Sequence, residues 1–111
     1  MRDIRFRSWN KVNKTMYDNS IYNCKDSFDM QLKHPQIYEV MQYVGLEDKN
    51  GIKIYEGDIV KTKEHIGQII YSKGMFFIDV KGDFYLPIYN VSEFMEVIGN
   101  IYENSELLER K

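Results

Sequence analysis

The stretch from Gly45 to Ile88 is cut by turn signals at close intervals: Asp48-Lys49-Asn50-Gly51, Glu56-Gly57-Asp58, Ser72-Lys73-Gly74 and Lys81-Gly82-Asp83. Asn-Gly supplies the positive φ angles that tight reversals need, and Asp folds its carboxylate back onto the turn's own N–H groups. The runs between these signals are Ile59 to Lys63, Ile66 to Tyr71, Met75 to Val80 and Phe84 to Ile88. They are short, β-branched and aromatic. A chain divided this often is predicted to form a strand meander, because such runs are too short for stable helices.

The rest of the chain reads the same way. From Arg2 to Trp9 apolar and polar residues alternate, placing Ile4 and Phe6 on one face and Arg5, Arg7 and Trp9 on the other. Lys11 to Lys14 is turn-like, and Thr15-Met16-Tyr17 can return as an antiparallel partner. Residues 18–26 read as a loop. Phe28, Met30 and Leu32 alternate with Asp29, Gln31 and Lys33, which predicts another strand, ended by His34-Pro35. Tyr38 to Val44 is read as a strand in preference to a helix over 35–43, since Tyr and Val are poor helix formers and Gly45 follows. Phe94 to Tyr102 is the closing strand. Asn104 or Ser105 can cap a single helical turn over Glu106-Leu107-Leu108-Glu109.

Closing a short sheet on itself removes its edges. The expected fold is therefore mostly β: a small SH3-like barrel with an N-terminal β-sheet extension and a short C-terminal helical turn. At 111 residues one domain is expected, with the extension at 1–34, the barrel core at 35–104 and the helical turn at 105–111. Such a barrel has room for about ten large side chains. The chain offers Ile4, Phe6, Tyr43, Leu46, Ile54, Ile59, Ile69, Tyr71, Phe76, Ile78, Val80, Leu86, Val97, Ile98 and Ile101. Some of these must find cover elsewhere, on a second small sheet or on a neighbouring subunit.

Three blocks taken together resemble the YopX family of phage and prophage proteins: residues 1–9, 41–60 and 96–108, among them Met41 to Val60 and Glu96 to Asn104. The resemblance implies an SH3-type barrel with an added N-terminal strand region. It also implies a phage or prophage origin, but no biochemical activity. The chain departs from the pattern at Asn10, where Asp is expected, and at Ser105, where Pro is common.

Charge and chemistry narrow the function classes. The net charge is −2, which disfavours bulk nucleic-acid binding. The charge is split, however: residues 1–34 carry seven Lys/Arg against four Asp, and residues 84–111 carry two Lys/Arg against five Glu. Unlike ends suit head-to-tail association. Cys24 stands alone with His34 and His65, short of the four ligands of structural zinc. Glu56 and Asp58 around Gly57 are a candidate carboxylate pair, read more simply as a turn bonding its own backbone. Asp48 to Gly51 lacks the closing Glu of a calcium loop. No cofactor and no enzymatic activity are expected. Without a long apolar run, the expectation is a protein of the cytoplasm, in the host cell if phage-encoded.

The candidate binding surface is Arg5, Arg7, Trp9, Lys11 and Lys14, where cations beside an indole can stack on bases or grip phosphates; the simpler reading is a solvated strand face with Trp9 turned into the core by a bulge. Leu107 and Leu108 are the candidate self-association residues, on a turn too short to stand alone. The expected function is that of a non-enzymatic accessory protein acting by binding and homo-oligomerisation. A nucleic-acid-binding module and a modulator of a host protein are the alternatives.

Overall fold

The computed structural model describes residues 4–18, 28–80, 84–88 and 94–108. The turn expected at 81–83 lies outside these residues, as does the 18–26 loop beyond Asp18. Among the described residues the regular structure is nine strands, one short α-helix and a terminal 3-10 turn, so the fold is mostly β as expected. No helix among them is long and apolar enough to cross a membrane. The chain divides into two compact units, Met1–Tyr43 and Val44–Lys111.

In the first unit β1 (Phe6–Asn10) lies between β2 (Thr15–Asp18) and β3 (Tyr38–Glu47), antiparallel to both. Trp9 stands opposite Met16 on one side and Glu39 on the other. The β1–β2 reversal is organised by Asn10, whose Oδ1 accepts the N–H groups of Val12 at 2.9 Å and Asn13 at 3.1 Å. An Asp there would accept the same two bonds, so Asn and Asp serve this turn alike.

The segment expected as a third strand is instead helix α1 (Phe28–Lys33). Its composition explains this: Met, Gln, Leu and Lys are good helix formers. Asp29 sits in the first turn and Lys33 in the last, joined by an i,i+4 ion pair at 3.0 Å. Met30 and Leu32, whose alternation suggested a buried face, are exposed. Among residues 29–33 the buried one is polar Gln31, which accepts a 2.8 Å hydrogen bond from Ser8 Oγ on β1, with both residues at 0 % exposure.

The second unit holds the curled sheet. β3 continues through Gly45 (φ 92°) and hydrogen-bonds to β4 (Lys53–Tyr55). Then come β5 (Asp58–Lys61), β6 (Ile66–Ser72), β7 (Met75–Val80), β8 (Phe84–Pro87) and β9 (Glu96–Asn100). The sheet order is β8-β7-β6-β5-β9, a meander whose last strand returns beside its first. Between Ile59 and Val60 the β5–β9 register shifts, a bulge that bends the sheet.

Inside the curl, Ile54, Val60, Ile69, Ile78, Val80, Ile88 and Met95 form the core, with Val44, Leu46, Phe76, Leu86 and Val97 against it. Each such side chain contributes about 1.5–3 kcal/mol when fully buried. Ile4 and Tyr71, counted as core candidates from the sequence, are exposed. Ile4 precedes β1, and Tyr71 sits where β6 has run past the core toward its turn. The C-terminal 3-10 turn (Ser105–Leu108) packs against β6. Its Leu107 N–H donates to the Asn104 carbonyl, while the Asn104 side chain turns back to accept the Asn100 N–H.

Candidate binding surface

The residues singled out on and around the first strand differ in exposure. Trp9 is 8 % exposed, so its indole is not presented for stacking. Arg5 and Arg7 are half-buried. The Lys11 ammonium lies 2.7 Å from Glu39 and donates to the Pro35 carbonyl at 3.0 Å. Lys14 is exposed, in the β1–β2 turn with φ 56°. At the other end of the chain Leu107 and Leu108 are half-buried, on the 3-10 turn that packs against β6 of their own chain.

The acidic turns are structural. Asp58 is buried and its Oδ2 accepts the Tyr55 N–H at 2.8 Å, closing the Glu56-Gly57 reversal. Asp48 is also buried. Its Oδ1 accepts the N–H groups of Asn50 at 2.8 Å and Ile52 at 2.9 Å, and its Oδ2 accepts that of Val97 at 2.9 Å. Burial by itself pushes this carboxyl up. The N–H groups of Val97, Ile52 and Asn50, with the Lys49 charge, outweigh that and hold it below the ordinary carboxylate value. Among the described residues no group of three His, Cys, Asp or Glu gathers as metal ligands.

Among the cavities on the described residues of the second unit are these two. One, of about 300 Å3, is lined by Thr62, Lys63, Glu64, His65, Leu86 and Phe94. The Lys63 ammonium lies 5.1 Å from the centroid of the Phe94 ring and so covers the cavity's aromatic wall. Thr62 and His65 bond each other across their own turn.

The other cavity, about 320 Å3, is lined by Ile70, Ser72, Lys73, Phe77 and Tyr85. Register explains how it forms. Ile70 stands opposite Phe77, Ser72 opposite Met75, and Asp79 opposite Tyr85. Successive strand residues point to opposite faces, so Ile69, Ile78 and Leu86 face the core while Ile70, Met75, Phe77 and Tyr85 lie on the outer face. The Phe77 and Tyr85 rings are 6.2 Å apart and tilted by 54°. Lys73 stands at the end of this apolar floor, in the β6–β7 turn. This cleft was not legible as a site, because Met75-Phe76-Phe77-Ile78 is apolar without a break and hides which side chains face outward. The run itself was the available signal: a strand apolar on both faces needs cover on both.

The YopX protein family model matches residues 5–109 of the chain. The crystal structure of protein EF1440 from Enterococcus faecalis is similar, with a TM-score of 0.64 and 28% identity over 97% of this chain and 99% of that one. The crystal structure of protein YopX from Bacillus subtilis shares the fold, with a TM-score of 0.53 and 23% identity over 93% of this chain and 96% of that one. No curated protein sequence matches the chain.

Proposed function

The chain belongs to the YopX protein family, and from that premise we propose that it is a non-enzymatic accessory protein of a phage or prophage. In this reading it acts in the host cytoplasm by binding other proteins, copies of itself included. The observation that carries the reading is an apolar patch on the outer face of β6–β8, bordered by Gln68, Ser72 and Asp79, where Met75 is 45 % and Tyr85 59 % exposed above half-buried Ile70 and Phe77. Exposed apolar surface of this kind is costly in water and is characteristic of interaction sites. The sheet order, a meander with the fifth strand back beside the first, supports an SH3-like plan. That plan hosts many unrelated functions, so the argument rests on the surface and not on the fold.

The nucleic-acid reading has less support, since Trp9 is enclosed, Lys11 is held by Glu39 and the chain is acidic overall. Self-association is tested by light scattering behind a sizing column across micromolar concentrations. The expected result is a species heavier than the 13.3 kDa chain. A lone monomer at every concentration removes self-assembly from the reading.

A further inference from the structure

We propose that the cleft on the outer face of β6–β8 receives an extended polypeptide segment of a partner protein, in which two apolar side chains alternate in sequence beside an acidic residue. The inference rests on the protein-binding reading above and names the chemistry of the partner. Three observations support it.

First, the apolar track is longer than the cavity. Met75 and Phe77 are alternate residues of β7, about 7 Å apart, and the Tyr85 ring lies 6.2 Å beyond Phe77. Alternate side chains of an extended ligand recur at the same spacing, so two of them fall into step with this track. A free aromatic acid would fill the cavity and leave Met75 uncovered.

Second, Lys73 supplies a cation at the polar end of the cleft, next to the Ser72 hydroxyl. Lys11, Lys33, Lys49 and Lys53 are each held by a carboxylate of the chain, whereas Lys73, like Lys14, Lys61 and Lys63, makes no ion pair among the described residues, and of these four it alone lines this cleft. An acidic residue on the ligand would give it a partner.

Third, Lys73 holds its place against backbone preference. Its φ is 52°, followed by Gly74 at 80°, the positive pair of a type I′ hairpin turn. Asn, Asp or Gly is favoured at that first position, and a long side chain there is unusual. A single cation beside so much apolar surface suits a peptide carboxylate better than the repeated phosphates of a nucleic acid.

The test is fluorescence anisotropy with a labelled short peptide carrying Phe and Leu at alternate positions between Glu residues, titrated with the full chain. Saturable binding is expected. Lys73→Asn is expected to weaken it about three- to fivefold while leaving the melting temperature unchanged or raised, because Asn tolerates positive φ. Tyr85→Ser is expected to weaken it about tenfold or more.

The inference is overturned if the peptide does not saturate, if a peptide with Lys in place of Glu binds as well, or if Lys73→Asn has no effect on affinity. Displacement by 3-phenylpropanoate at the peptide's own concentration would give the cleft to a small acid, and preferential binding of oligothymidylate would give it to nucleic acid. Peptide failure combined with a dimer that Tyr85→Ser dissolves would give it to a second copy. Each of these also overturns the peptide proposal. Peptide failure with self-association intact leaves the broader reading standing, so the two fail separately.

Discussion

Asp48 accepts three backbone N–H groups with one carboxylate, two from its own turn and one from Val97 at the far end of the chain. The neighbouring Lys49 repeats the link, donating its N–H to the Met95 carbonyl at 3.0 Å and placing its ammonium 3.5 Å from Glu96. Replacing Asp48 with Asn breaks this arrangement on one side. If the amide oxygen serves Asn50 and Ile52, the amide nitrogen faces the Val97 N–H, donor against donor. The N–H of half-buried Val97 is then unsatisfied, at a cost of at most about 1–3 kcal/mol. A pH dependence follows from the lowered carboxyl. A folded-state pKa below the unfolded value of about 3.9 contributes stability that is fully present above that value. The contribution is lost as pH falls through the folded value. Urea midpoints measured from neutral pH downward should therefore drop below about pH 4 in the native chain. Asp48→Asn should be weaker at neutral pH and show a shallower acid decline. Parallel curves for the two proteins would mean that the Asp48 contacts do not contribute to stability.

Elements were legible where hydropathy and turn chemistry agreed. The reversals at Gly51 and Gly74, each glycine at positive φ, and the strands they join follow from residues whose backbone freedom suits a turn. Helix α1 was not legible, because alternation over six residues is too little to separate a period of two from one of 3.6. Its packing also rests on a buried Gln31–Ser8 hydrogen bond, which no hydropathy pattern records. Enclosure of Trp9 was the simpler of two readings of the sequence, and alternation could not decide between them: it assigns faces but does not say which face is covered. Within the sheet, Gly67 of β6 lies opposite Val60 of β5. A Cβ there would stand 2.6 Å from Ile78 Cγ2 and 2.7 Å from the Asp79 carbonyl oxygen on β7. Backbone cannot step aside as a flexible side chain does, so Gly67→Ala must push β6 away from β7. Overpacking of this kind costs about 1–3 kcal/mol. Thermal melts should show Gly67→Ala clearly less stable, and an unchanged melting temperature would mean that the two strands part without strain.

For the whole molecule, the remaining question is what the C-terminal 3-10 turn does for the fold. An isolated turn of this length has no stability in water, so Leu107 and Leu108 need a surface. The turn that carries them lies against β6 of its own chain. The attachment is reinforced just upstream: Asn100 Oδ1 accepts the N–H groups of Tyr102 and Glu103, Asn104 Oδ1 accepts the Asn100 N–H, and the Asn104 N–H returns to the Asn100 carbonyl. This loop of bonds fixes the direction in which the chain leaves β9 and sends the two leucines onto β6. The charge split seen in the sequence places the acidic C-terminal segment where self-association was expected, but a segment docked at home is engaged with its own sheet. Deleting residues 105–111 should therefore act on stability and leave assembly alone. Two half-buried leucines correspond to a loss of about 1–3 kcal/mol, readable as a lower urea midpoint with circular dichroism still β-dominated. Light scattering on the truncated chain should give the same oligomeric state as the full chain. Loss of a higher-order species with the urea midpoint preserved would reverse the assignment and place Leu107 and Leu108 on a neighbouring copy.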